Sequence, residues 1–274
     1  MKDVKDRIVL ITGGAGGIGR LMALDFAARG ARVAVWDIDS RALAVFEEEG
    51  RSAGLFIRGF VCDVTDRAAV YRQAEILRAE LGPVDILVNN AGIVSGSTLL
   101  ETPDEKIEKT LQVNTLAHFW TCKAFLPSMI ERNRGHLVTI SSAAGIIGVT
   151  GLADYSASKF AVFGLNEAIR MELRKLKSAV RTTVVCPFFI DTGMFQGVKT
   201  RFPTILPILK SEYVARRVVE AVLKNRQRLL MPRLIYTLFV LRLFSTAVLD
   251  AGASFFGVNN TMDDFIGRAG NAPK

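Results

Sequence analysis

A tyrosine and a lysine four residues apart, in YSASK at 155–159, are the first pair in this chain with a reaction to offer. On a helix, that spacing places Tyr155 and Lys159 on one face. A phenol with a pKa of about 10 is a poor base at neutral pH. A neighbouring ammonium favours the phenolate and lowers that pKa. Tyr155 can then take the proton of an alcohol while a hydride leaves the alcohol carbon, and can return it in the reverse direction. Ser142 follows the apolar run of HLVTIS and is placed to hold the substrate oxygen, with Asn114 upstream in TLQVNTLAHFW. A Y-x-x-x-K pair alone recurs by chance on surface helices, so the reaction needs an electron acceptor elsewhere in the chain.

ITGGAGGIGR at 11–20 supplies a place for one. It reads as the end of a strand, a glycine turn and the start of a helix. Gly13, Gly17 and Gly19 fit T-G-x-x-x-G-x-G, while Gly13, Gly16 and Gly19 fit T-G-x-x-G-x-x-G, so the turn alone leaves two spacings open. Either brings a backbone close to a pyrophosphate at a helix N-terminus, where unpaired N–H groups and the helix dipole favour anions. Asp37 ends the following run, RVAVWD, at the distance a dinucleotide fingerprint requires. A carboxylate there accepts hydrogen bonds from the adenosine ribose and repels a 2′-phosphate. No lysine or arginine lies within the turn, and Gly16 offers no side chain to grip such a phosphate. NAD is therefore expected in preference to NADP. Its positive nicotinamide ring would join Lys159 in favouring the phenolate, and Lys159 would also fix the nicotinamide ribose.

The elements that must position these residues follow from the hydrophobic pattern. Strands are predicted at 7–12, 31–36, 55–61, 84–88, 136–141, 181–186 and 228–231, alternating with helices at about 17–29, 40–49, 67–81, 104–132, 154–176 and 212–224. This alternation predicts an α/β fold: a single Rossmann-type doubly wound parallel sheet with helices on both faces. The chain has 274 residues, half of them apolar, which suits one large core. We find no linker or repeat, so residues 1–274 are read as one domain. Cys62, Cys122 and Cys186 are scattered, and His118 and His136 are solitary, so no metal site is expected. Sparse thiols suit a reducing compartment, and no secretory leader is read at the N-terminus. A cytoplasmic, non-secreted protein is expected.

The charge is uneven. Residues 195–245 hold ten basic and two acidic residues, which accounts for the whole formal net charge of +8. No nucleic-acid module accompanies them, so a nucleic-acid partner is not expected. Residues 233–257 form an apolar tail interrupted by Arg242 and Asp250, a poor spanning helix. An interfacial helix, a pocket cover and a subunit contact all remain open for it.

The ordered motifs TGGAGGIG, CDVTD (62–66), NNAG (89–92), Asn114, ISS (140–142), YSASK and CPFFIDTGMF (186–195) together resemble the short-chain dehydrogenase/reductase family over about residues 7–232. The resemblance implies a catalytic tetrad of Asn114, Ser142, Tyr155 and Lys159. Ser142 is preferred to Ser141 because the family places its serine thirteen residues before the tyrosine. The cofactor contacts implied are Gly13, Gly17, Ile18 and Gly19 at the turn, Asp37 at the ribose, and Asp63 and Val64 beside adenine. Asn89, Ala91 and Gly92 would line the groove, and Pro187, Ile190 and Thr192 would meet the carboxamide or phosphates. NNAG, the Ser142–Tyr155 interval and the chain length favour the Gly13, Gly17, Gly19 spacing. Phe188 departs from the family's usual proline–glycine and would narrow or grease the substrate entrance.

KIEKTLQVNTLAHFWTCKAFLPSM, GLADYSASKFAVFG and VCPFFIDTGMF resemble the branch that holds the epidermal-type retinol dehydrogenases and the 17-beta-hydroxysteroid dehydrogenases types 11 and 13. That resemblance implies a retinol-like, steroid or long-chain alcohol or carbonyl as substrate. Family resemblance also implies a homodimer or homotetramer, and the basic segment and apolar tail allow peripheral membrane contact through 195–257. Residues 195–225 are expected to cover the substrate, and 233–274 to form an apolar C-terminal extension. Two alternatives are carried: a reductase of 3-oxoacyl thioesters or other carbonyls, and a non-catalytic lipid-surface protein that kept the fold.

Overall fold

The computed structural model describes residues 3–267; of the extension expected at 233–274, residues 268–274 lie outside the described residues. Seven strands alternate with helices: β1 (Ile8–Thr12), β2 (Arg32–Asp37), β3 (Ile57–Val61), β4 (Ile86–Asn89), β5 (His136–Ile140), β6 (Arg181–Pro187) and β7 (Arg228–Met231). They form one parallel sheet in the order β3-β2-β1-β4-β5-β6-β7. The doubly wound α/β reading therefore holds. β1, β4 and β5 are buried along their whole length, whereas the edge strand β3 buries Ile57 and Phe60 and exposes Arg58 and Val61. Strands covered on both faces require such continuous apolar runs. The chain reverses direction across the sheet between β1 and β4, and this opens a crevice at their carboxyl ends.

On one face, α1 (Gly17–Ala28), α2 (Ser40–Ser52) and α7 (Ser211–Leu223) pack through Met22, Phe26, Phe46, Val214 and Val218. On the other, α3 (Arg67–Leu81), α5 (Ala117–Glu131) and α6 (Ala153–Lys175) pack through Leu77, Phe125, Met129 and Ile169. Asp39 caps α2 by accepting from the N–H groups of Arg41 and Ala42, and Asp66 caps α3 by accepting from that of Ala69.

Two expectations are corrected. The helix predicted over 104–132 is α4 (Asp104–Leu111), a π-type turn (Gln112–Leu116) and α5. Of the span 195–225 expected over the substrate, Phe195 and Leu206 do line the central cavity. α7 instead packs its valine face against α1, because Val214, Val218 and Val222 repeat at helical spacing and are fully buried there. The tail, whose role the sequence left open, forms a 3-10 turn (Arg233–Tyr236) that leads into α8 (Thr237–Leu241) and α9 (Thr246–Phe255). Among the described residues, no helix is long and apolar enough to cross a membrane.

Candidate active site

The glycine turn joins β1 to α1 at the crevice. Gly17 adopts a φ of +54°, which suits a residue without a Cβ. A Cβ on Gly19 would lie 2.4 Å from the Gly13 carbonyl oxygen and 2.6 Å from Asn90 Nδ2, so only glycine allows this close approach of helix to strand. A Cβ on Gly16 would meet nothing within 4 Å. The start of α1 has neither a side-chain cap nor an acidic residue in its first turn, unlike α2 and α3 with their aspartates. Its leading N–H groups are thus left for an anion, and the turn fits a pyrophosphate.

Asp37 closes β2 beside this turn and borders the cavity. Its Oδ2 accepts from Ala15 N–H at 3.0 Å and its Oδ1 from Asp39 N–H at 3.2 Å, which fixes the carboxylate at the ribose end. Asp63 and Val64 line the same end. Burial acts to raise the Asp63 pKa, but hydrogen bonds from Thr65 and the Lys109 charge outweigh it and leave the carboxyl below its usual value. Gly13, Gly17, Ile18, Ala91 and Gly92 border the cavity as well.

Asn89 does not line the groove expected of it. Its side chain is buried behind β4, where Oδ1 accepts from Thr121 Oγ1 at 2.8 Å and Nδ2 reaches Cys122 Sγ at 3.6 Å. The strand alternation of β4 turns it inward, and Asn90 takes the groove position. Asn90 Nδ2 donates to the carbonyls of Thr12 and Gly13 at 2.9 and 3.0 Å, and Thr12 Oγ1 accepts from the N–H groups of Asn90 and Ala91. Thr12 and Asn90, which lace the two loops together, were missed; the doubled asparagine and the threonine before the glycines were their only sequence signals.

The tetrad converges from three elements. Asn114, fully buried in the π-type turn, accepts from Ile93 N–H at 2.8 Å through Oδ1 and donates through Nδ2 to the Ile93 carbonyl and to Ser158 Oγ. Gly92 sits between Asn114 and Lys159: a Cβ there would lie 3.4 Å from Asn114 Oδ1 and 3.5 Å from Lys159 Nζ. Lys159 Nζ donates to the Ile140 carbonyl at 3.0 Å and lies 5.5 Å from the centre of the Tyr155 ring. Ser141 Oγ is engaged by the Lys159 carbonyl at 2.8 Å. Ser142 is the residue whose hydroxyl interacts with the Tyr155 phenol.

Burial dominates the electrostatics. It pushes the Tyr155 phenol up to about 12, against the opposing hydrogen bond with Ser142. It brings Lys159 down to about 8. The lysine alone therefore does not lower the tyrosine as the spacing suggested, because desolvation of the phenolate is the larger effect. The resting pair is a neutral phenol beside an ammonium that is readily deprotonated.

One cavity of about 590 Å3 runs from the glycine turn past Ser142 and Tyr155 to an apolar end. Pro187, Ile190 and Thr192 border it after β6, and Phe188 lines it directly. Phe188 stacks on Phe189 edge-on at 4.8 Å, Phe189 on Phe195 at 5.1 Å, and Phe195 on the Tyr155 ring at 5.7 Å. Leu238 and Leu241 of α8 and Leu249, Ala253 and Phe256 from the segment that follows close the apolar end.

The short chain dehydrogenase family profile matches residues 7–201. This chain belongs to that family. It is 46% identical to short-chain dehydrogenase/reductase family 16C member 6 of Bos taurus over 97% of its length and 85% of that protein's. It is also 46% identical to the Homo sapiens epidermal retinol dehydrogenase 2, over 97% of this chain and 87% of the other. The fold of this short-chain dehydrogenase superposes with a TM-score of 0.80 on a Burkholderia phymatum family member in complex with NAD, at 27% identity, covering 88% of this chain and 95% of that one. A metagenomic short-chain oxidoreductase in complex with NADP gives 0.69 at 28% identity, covering 83% and 96%. The chain is thus an oxidoreductase of a family that uses nicotinamide cofactors.

Proposed function

We propose that this short-chain dehydrogenase transfers hydride between NAD and a lipophilic alcohol or its carbonyl, with Tyr155 as the general acid and base. The observation that carries the reading is the single cavity in which the Tyr155 and Ser142 hydroxyls stand between a glycine turn and an end walled by phenylalanine and leucine. Retinol-like, steroid and long-chain alcohols share the chemistry such a wall selects: one hydroxyl on a large apolar body. Asp37 favours NAD, since a carboxylate at the ribose end repels a 2′-phosphate.

Ser142 and Tyr155 bind the substrate oxygen from one side. A nicotinamide cofactor, held through the glycine turn and Asp37, would supply the two-electron acceptor and, when oxidised, a positive charge. In the oxidation direction Tyr155 acts as the phenolate, a form that Lys159, held to the Ile140 carbonyl, stabilises, and it takes the alcohol proton to become the phenol. Asn114 holds Ile93 and Ser158 in place around that lysine. The raised Tyr155 favours the protonated phenol, which is the form that donates to a carbonyl. Reduction of 3-oxoacyl thioesters or other carbonyls is for that reason the second reading.

We also infer contact with a lipid surface through the tail, supported by the apolar side chains of Val240, Leu243, Phe244 and Phe255 that face outward. A homodimer or homotetramer through α5 and α6 completes the proposal; Phe119 and Met171 are exposed there.

Tyr155→Phe tests the mechanism. We expect kcat for a long-chain alcohol to fall by roughly a hundredfold or more, with NAD affinity within about twofold of the parent. Normal turnover by that variant would exclude Tyr155 as the proton carrier.

A further inference from the structure

Arg242, the charge that interrupts the apolar tail, has partners that the reaction does not use. It follows α8, and its Nη1 donates to the Ile146 carbonyl at 2.6 Å. Its guanidinium carbon lies 5.3 Å from the centre of the Phe160 ring. Ile146 ends the 3-10 turn Ala143–Gly145 that Ser142 opens, and Phe160 follows Lys159 in α6. One side chain of the tail therefore touches the two segments that carry Ser142 and Lys159.

Its place along the tail matters. Leu238 and Leu241 line the cavity before it, and Leu249, Ala253 and Phe256 line it after. Between these two sets, residues 242–248 are exposed. Arg242 sits at the joint between two short helices whose inner sides wall the cavity and whose outer sides have little packing. A guanidinium suits the joint because it donates in its plane while its face rests on a ring.

We propose that Arg242 is a positioning residue for substrate specificity: it fastens the joint between α8 and α9 so that the tail walls the far end of a long apolar alcohol. This rests on the alcohol dehydrogenase reading above. The catalytic turn does not depend on the arginine. Ser142 Oγ accepts from Ala144 N–H at 3.1 Å, and Ile146 N–H donates to the Ala143 carbonyl at 2.9 Å. Loss of Arg242 thus loosens the wall and spares the chemistry.

The test compares the full chain, Arg242→Ala and Arg242→Lys on hexadecanol in detergent and on butanol, with hydrogen exchange followed across residues 237–255. For Arg242→Ala we expect KM for hexadecanol to rise about tenfold, as loss of one charge-assisted contact allows. We expect kcat, and kcat/KM for butanol, to stay within about twofold. Lysine should restore only part of the hexadecanol KM, since it lacks the planar fork. Tail amides should exchange faster in Arg242→Ala. Equal losses on both alcohols, or an unchanged KM for hexadecanol, would overturn the inference. If the parent turns over neither alcohol, the alcohol reading fails, while exchange still decides the fastening: unchanged protection of 237–255 overturns it and faster exchange upholds it.

Discussion

Two histidines that take no part in the proposed chemistry carry the clearest pH dependence of any single residues. His118 and His136 are both held down at about 3 by burial, with the Lys159 charge adding at His118 and Arg181 adding at His136. Neither ring nitrogen of His118 has a hydrogen-bond partner among the described residues, whereas His136 Nε2 pairs with Thr183 Oγ1 at 2.7 Å. From the ordinary value of 6.5 down to about 3, the unfolded chain binds more protons at these sites than the folded one. Stability is therefore full above that window and falls as the pH drops through it, by about 2 kcal/mol per histidine at pH 5. Urea unfolding at pH 7.5 and pH 5 measures this. His118→Leu should shrink the difference between the two by about 2 kcal/mol, and an undiminished difference contradicts the assignment. In the sequence both histidines stood out only as solitary, with nothing to show how deeply the fold buries them. Tyr155 and Lys159 were legible because four residues apart on one helix is also their arrangement in the site, whereas Ser142, on a separate element, was chosen over Ser141 only through the family resemblance. Asn90 was not distinguished from Asn89, because which one faces the groove depends on the register of β4 against β1 and β5.

At the scale of elements, the strands could be read because each is a short apolar run bounded by turn residues. The break at Gln112–Leu116 could not, since QVNTL carries no proline or glycine to mark it. The π-type turn reflects partners distant in the chain: Asn114 is bound to Ile93 and Ser158. Such turns recur at functional sites because they re-aim one side chain. The tail was ambiguous for a different reason. It is apolar on both sides, one lining the cavity and the other outward, so no single periodicity reveals its role. Its outward side yields a prediction: the protein should sediment with anionic liposomes at low salt and less so at high salt. Leu243→Asp with Phe244→Asp should abolish sedimentation, since Leu243 is 83% exposed and has no core to disrupt. Absence of sedimentation by the parent at low salt removes the membrane proposal.

For the whole molecule, the reversal of strand order between β1 and β4 determines where everything else gathers. The glycine turn after β1, Asp37 at the end of β2, the NNAG loop at the end of β4, Ser142 after β5 and Pro187 at the end of β6 all emerge at the same edge of the sheet. The tail then returns to close that edge, so a dinucleotide end and an apolar end share one cavity. The most direct measurement is the initial rate on a long-chain apolar alcohol with NAD and with NADP, for the parent chain and for Asp37→Ser. We predict that the parent's kcat/KM is at least about tenfold higher with NAD, and that Asp37→Ser narrows the ratio. Preference for NADP by the parent, or no turnover of the alcohol with either cofactor, would contradict the account.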